Sequence, residues 1–230
     1  MISCNQLSSS IDNLLYSDFW PGQFFINGYP VLNIFWNLFL LIIPFWLGAG
    51  LAIYWRKNKF KKIYQKILAI ILGFLWLLFI PNTAYIITDV RHLLDYCPRN
   101  YYQRVCPEGA WMIIFFFIYA SIGWVAFVFL LNQMKRVIKN IFGKNISRIY
   151  IWLIIPLISL GVLLGLINRW NSWEFPLCPW PIFQNILMYI TNINYFRNWL
   201  VFTIALYILY FAGNFLFKER VSKQTKVKSK

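Results

Sequence analysis

Five long apolar runs leave this chain few folds to choose from. Residues 31–55, 67–87, 110–131, 149–167 and 199–217 are each almost free of charge. A helix needs about 20 residues to cross a hydrocarbon core of about 30 Å, and all five runs are of that order. Inside lipid a segment must satisfy its own backbone N–H and C=O groups, so runs of this length cross as helices. The composition agrees, with 60% hydrophobic, 21% aromatic and only 13% charged residues among 230. Such a chain has no surface to offer water as a globular domain. The expected fold is all-α: a polytopic helical membrane protein of about five transmembrane helices plus short interfacial helices. It divides into an extracytoplasmic N-terminal segment (1–30), a five-span membrane domain (31–217) and a basic cytoplasmic tail (218–230).

A net charge of +15 raises the question of nucleic acid, and the distribution answers it. The basic residues lie in short clusters between apolar runs, and no phosphate loop, zinc-finger spacing or RNA-binding aromatic motif occurs, so no nucleic acid is expected as a partner. The clusters set orientation instead. Residues 56–66, 135–148 and the tail from 218 hold 17 of the 22 Lys and Arg, against 5 on the opposite side. Positive loops stay inside, which puts the N-terminus outside and the C-terminus in the cytoplasm.

The connecting segments carry their own signals. Residues 1–30 contain no Lys or Arg, so they lack the positive start of an ordinary signal peptide. Ile11, Leu14, Leu15 and Phe19 share one helical face, which predicts a short interfacial helix ended by Trp20-Pro21-Gly22. Near the other end, Ile182, Phe183, Ile186, Leu187, Ile190 and Ile193 form an apolar stripe opposite Gln184, Asn185 and Asn192, with Pro181 in the first turn. This reads as a helix lying in the outer interface, beside Trp170, Trp173 and Trp180. The tail from residue 218 reads as disordered and able to touch anionic lipid. No internal repeat of the kind found in inverted-repeat transporters is visible. Cys4, Cys97, Cys106 and Cys178 all fall on the external side, where disulfides persist. Of the three possible pairings, Cys97–Cys106 with Cys4–Cys178 is favoured. A four-thiolate zinc site is the rival reading, weakened by the absence of a C-x-x-C pair.

One stretch breaks the apolar pattern with purpose. Residues 81–94 read PNTAYIITDVRHLL and follow an uninterrupted apolar segment. Asn82, Tyr85, Asp89 and His92 are spaced three, four and three apart, one face of a helix. Ionisable groups beside lipid are costly and turn toward protein or water. Pro81 frees a backbone carbonyl that the neighbouring Asn82 can take up, and Pro44 and Pro156 should disturb their helices in the same way.

Together with LGLINRWNSWE at residues 164–174 in the sequence, this stretch makes a family visible. The chain resembles the bacterial membrane proteins of domain-of-unknown-function family 1361. Pro81, Asn82, Tyr85, Ile86, Thr88, Asp89, His92 and Leu93 match that family's first motif, and Gly165, Arg169, Trp170, Asn171, Ser172 and Trp173 its second. Thr83 and Ala84 replace Ala-Pro, Leu166 replaces a frequent Arg, and Glu174 replaces Asp. The resemblance spans residues 31–217. It implies a bacterial cytoplasmic membrane location and brings no activity with it.

Under the charge-derived topology both motifs sit at the outer ends of their helices. Asp89, His92, Arg169 and Glu174 are expected to meet in one patch, with Asn82, Tyr85, Asn171, Ser172 and Trp173 completing it. Asp89 and Arg169 are expected to contact each other, directly or through one residue of 171–174. A purely structural role is one reading: an Asp89–Arg169 pair, asparagine caps and tryptophan anchors. A carboxylate-rich metal site is another, although a histidine-rich one is excluded by the single histidine, and no metal or other cofactor is assigned. The same groups suit acid–base chemistry on a lipid-linked substrate at the outer leaflet, although no activated nucleophile is recognisable. Arg169 among tryptophans suits a phosphate headgroup. A small transporter is disfavoured, because the spans hold almost no ionisable group at mid-membrane. The leading expectation is a lipid-interacting accessory or assembly protein, with membrane lipids, and conceivably a protein, as partners.

Overall fold

The computed structural model describes residues 25–26, 29–58, 62–94 and 110–227. Two short strands, β1 (Phe25–Ile26) and β2 (Tyr29–Pro30), pair antiparallel and lead directly into the first helix. Every regular element after them among the described residues is helical. The helices are α1 (Val31–Asn58), α2 (Ile63–Phe79), α3 (Pro81–Thr88), α4 (Ala110–Phe142), α5 (Lys144–Ile167), α6 (Pro179–Thr191) and α7 (Ile193–Val227), with a 3-10 segment at Asp89–Leu94 after α3. Among the described residues five stretches are long and apolar enough to cross a membrane: Val31–Lys57, Ile63–His92, Ala110–Phe142, Lys144–Ile167 and Ile193–Phe217. The all-α, five-helix expectation therefore holds. The predicted interfacial helix around residues 11–19 lies outside the described residues.

The helices outrun the apolar segments at both ends. The basic stretch 135–148 is expected as a loop, yet α4 continues through Lys135, Arg136 and Lys139, and only Gly143 separates it from α5. That glycine has φ 90, which reverses the chain in one residue where any L side chain would be strained. The tail is expected to be disordered, but α7 runs on to Val227. Lys and Arg are good helix formers, so a polar continuation of a long helix needs no core to persist.

At Pro81 and Pro156 the structure shows what the backbone does. Pro156 cannot bond the carbonyl four residues back, and the Trp152 carbonyl accepts from Tyr207 Oη at 2.6 Å. Trp199 Nε1 donates to the Pro156 carbonyl at 3.0 Å, so α7 takes up the freed carbonyl and braces α5 at the proline itself. At Pro81 the helix is interrupted at Ile80 and restarts. Thr83 N–H turns to the Ile80 carbonyl at 3.1 Å, and the Phe79 carbonyl is taken by Asn82 Nδ2 at 3.0 Å. Ile80 keeps helical angles (φ −61, ψ −32), so residues 81–94 continue the second span rather than leave it.

No residue of α3 is exposed. Thr83, Ala84 and Ile86, with Ile80 just ahead of the helix, are all 0% exposed. Two glycines let the neighbouring helices approach this closely: a Cβ on Gly161 of α5 would stand 2.7 Å from Pro81, and one on Gly123 of α4 would stand 2.8 Å from the Thr83 carbonyl oxygen. Deeper in the bundle, Asn132 Nδ2 of α4 donates to Asn214 Oδ1 of α7 at 2.6 Å, and Tyr210 Oη to Asn132 Oδ1 at 3.0 Å. Such amide bonds hold helices together where lipid gives no hydrophobic drive for association. The outer surface carries Phe35, Trp46, Phe117, Leu153 and Ile208, all strongly exposed, as a lipid-facing belt requires.

Candidate functional site

Where α3 meets the turn after α5, a cavity of ≈ 540 Å³ opens. Seven of the nine residues singled out in the sequence line it: Asn82, Tyr85, Asp89, His92, Arg169, Asn171 and Ser172. The helical face of the first motif supplies four, because α3 turns that stripe away from its packed side. Asn82 Nδ2 joins the two motifs, donating to Ser172 Oγ at 3.3 Å as well as to its own helix.

The other two residues point elsewhere. Glu174 is 3% exposed and does not line the cavity; its carboxylate accepts the Asn171 N–H and so closes a turn. The Glu174 carbonyl in turn accepts from Leu177 and Cys178, which leads the chain into α6. Trp173 packs edge-on against Trp36 of α1, ring centroids 6.0 Å apart. The expected meeting of Glu174 with Asp89 and His92 therefore does not occur. Among the described residues no group of three or more His, Cys, Asp and Glu could hold a metal.

Asp89 is 2% exposed at the first position of the 3-10 segment. The expected contact with Arg169 is not made. Instead Asp89 Oδ2 accepts from Asn37 Nδ2 of α1 at 3.1 Å, and Oδ1 faces His92 Nε2 at 4.0 Å. His92 Nε2 also accepts from Arg91 Nε at 3.2 Å, and Arg91 Nη2 donates to Tyr85 Oη at 3.3 Å. The guanidinium thus links the two ends of the motif across one and a half turns, 6.0 Å above the Tyr85 ring.

Arg169 is held in an unusual conformation. It is the only non-glycine with positive φ among the described residues, at 61, just beyond the α5 C-terminus. Glycine is the usual occupant of such a position. The turn is fixed by the Leu164 carbonyl, which accepts from Asn168 at 3.1 Å and from Trp170 at 3.2 Å. Asn168 Oδ1 then accepts from Tyr189 Oη at 3.2 Å, tying the turn to α6. Burial, and the Tyr195 phenol beside it, push the Tyr189 phenol up to about 12.

The site contains residues that the motif reading did not place in it. Asn33, Trp36 and Asn37 come from α1, and Arg91 lies between motif positions; Trp170 is a motif position that the sequence presents as an interface anchor and not as part of the site. A weak signal was available for the first group: Asn33 and Asn37 are one helical turn apart in an otherwise apolar run. The remainder of the wall is apolar, with Leu77 and Leu78 from α2, Leu157, Leu160 and Leu164 from α5, and Ile182 and Ile186 from α6. The interfacial helix expected over 182–193 begins at Pro179, and it is amphipathic in three directions. Ile182 and Tyr189 are buried, while Phe183, Leu187 and Ile190 stay exposed.

A family model described as protein of unknown function (DUF1361) matches residues 36–211. The chain belongs to that family. The matched stretch includes both motifs and every wall of the cavity except Asn33. No curated protein and no solved structure matches the DUF1361 chain significantly. Of the cysteines, Cys178 is buried just ahead of α6 and is not free. Cys4, Cys97 and Cys106 lie outside the described residues, and both expected pairings with them.

Proposed function

We infer that this DUF1361 protein binds a membrane amphiphile in the cavity between α1, α3, α5 and α6, and acts as a lipid-interacting accessory or assembly protein. The observation that carries the reading is the mixed lining of one ≈ 540 Å³ cavity. Asn82, Asp89, Arg91, His92 and Arg169 line it together with leucines and isoleucines of α2, α5 and α6. Ligand sites are mostly apolar hollows with a few convergent polar groups, and an amphiphile with one head and one chain suits such a lining. The 17-to-5 distribution of basic residues supports a cytoplasmic C-terminus and, with it, a cavity at the outer leaflet of the cell membrane. On that outer side we also assign Cys178 a disulfide partner among Cys4, Cys97 and Cys106.

Native mass spectrometry of detergent-purified protein tests the binding. A retained amphiphile is expected, and Gly165→Leu should displace it. Gly165 lines the cavity, and its Cβ would meet Tyr85 at an ordinary 3.7 Å, so the longer side chain fills space without forcing the helix. Protein that carries no amphiphile, or the same amount in Gly165→Leu, would refute the reading.

The alternative is an enzyme acting on a lipid-linked substrate, favoured by one observation: the Asp89–His92 pair lines the same cavity. Ser172 Oγ meets Asn82 rather than the imidazole, so the hydroxyl is not set against a base. Turnover of a bound lipid that disappears in His92→Gln while binding persists would establish the enzyme.

A further inference from the structure

The lining groups of the cavity differ in whether their hydrogen-bonding capacity is already used. The one carboxylate on the wall, Asp89, accepts from Asn37 and faces His92. Asn82 spends its amide on the Phe79 carbonyl and Ser172. Arg91 is divided between His92 and Tyr85. Two donors on the wall are left over. Arg169 is exposed, and its guanidinium makes no hydrogen bond or ion pair among the described residues; Trp170 Nε1 is a buried donor with no acceptor. A buried N–H without a partner is costly and calls for an acceptor. Charge points the same way, with two arginines on the wall against one aspartate.

The backbone keeps these two donors in place. The chain reverses at Arg169, with φ 61, and Trp170 N–H is fastened to the Leu164 carbonyl at 3.2 Å. Arg91, on the 3-10 segment, lines the same cavity. An acceptor that serves this arrangement must present oxygens in more than one direction. A planar carboxylate satisfies a single guanidinium fork, whereas a tetrahedral phosphate ester offers several oxygens and matches the fork on one of its edges.

We propose that the head group bound in this cavity is a phosphate ester, gripped by Arg169 and Trp170, with its acyl chain along the α2, α5 and α6 wall. This rests on the amphiphile reading above and assigns its substrate class. The same phosphate chemistry could reach the site from a lipid head group or from free phosphate, and the test separates the two.

The purified full-length chain is titrated separately with phosphatidylglycerol, with diolein (the same chains without phosphate) and with inorganic phosphate, and adducts are counted by native mass spectrometry. The variant is Arg169→Gly, because glycine adopts φ 61 freely and the turn survives the loss of charge. One saturable phosphatidylglycerol adduct is expected, at least about tenfold tighter than diolein and weakened about tenfold or more in Arg169→Gly, as befits a lost charge-assisted contact. Arg169→Lys keeps the charge without the fork and should fall between. Equal binding of phosphatidylglycerol and diolein, unaffected by Arg169→Gly, overturns the phosphate assignment and leaves the amphiphile reading standing. Inorganic phosphate that binds as tightly as the lipid, and is lost in Arg169→Gly, keeps the phosphate and overturns the amphiphile. No binding of any of the three overturns both.

Discussion

Asn37 is the residue on which the buried Asp89 depends, and its replacement gives a measurable number. Asp89 is 2% exposed, and its closest partner is Asn37 Nδ2 at 3.1 Å; His92 stands at 4.0 Å, beyond hydrogen-bond reach. Asn37→Leu keeps the branched outline of the side chain in a larger volume and removes the donor. A hydrogen bond to a charged group contributes about 1.5–3 kcal/mol, and a buried carboxylate stripped of its donor bears that whole loss. For a chain of this size the apparent melting temperature should fall by about 3–12 °C. Asp89→Asn removes the charge that makes the bond strong, so in that background Asn37→Leu should cost only about 0.5–1.5 kcal/mol. The coupling in the double-mutant cycle, read from thermal unfolding in one mild detergent, should therefore be on the order of 1 kcal/mol or more. Equal cost of Asn37→Leu in both backgrounds would mean that the Asp89 charge adds nothing to the bond, and the account of Asn37 as the donor that holds a buried carboxylate would be wrong.

A reporter fused after Lys230 should register the cytoplasm and one inserted at Asn100 the outside; reversal of either would refute the orientation drawn from charge. Gly161→Ala should destabilise by about 1–3 kcal/mol through overpacking, since its Cβ would lie 2.7 Å from Pro81, and Pro81→Ala in the same chain should recover part of the loss. Thermal unfolding of the two variants and their combination checks this, and an unchanged Gly161→Ala would show that α3 is free to move. Tyr189, whose phenol is raised from the ordinary 10.0 to about 12, should contribute stability that is full below pH 10 and lost as pH rises from 10 to 12. The difference in melting temperature between the native chain and Tyr189→Phe should shrink over that interval; a constant difference would contradict it. Unreduced protein should leave Cys178 unlabelled by an alkylating reagent, and labelling before reduction would remove the assigned disulfide.

Much of this molecule is written in its residue pattern, because lipid punishes exceptions. A polar residue in an apolar run stays only if it has a partner, so Asn82, Tyr85, Asp89 and His92 at helical spacing mark the wall of something, and they do line one cavity. A proline inside a helical run disturbs the ladder around it, so a role for Asn82 beside Pro81 was legible as well, although the carbonyl it meets is that of Phe79, which Thr83 N–H leaves by turning to Ile80. The identity of the partners was not. Asn37 reaches Asp89 across 52 residues of sequence, and Tyr207 reaches the Trp152 carbonyl across 55, and no local spacing encodes either. Residues 169–174 show why adjacency misleads. One positive φ at Arg169 and one bond from the Asn171 N–H to Glu174 send Glu174 into its own turn and Trp173 against α1, while Arg169 stays on the cavity wall with its charge unspent. Sequence alone settles which residues cannot face lipid, since that is a property of each side chain and its solvent. Which of them meet is a property of helix packing, decided here by two close approaches at Gly123 and Gly161 that bring α3 against its neighbours.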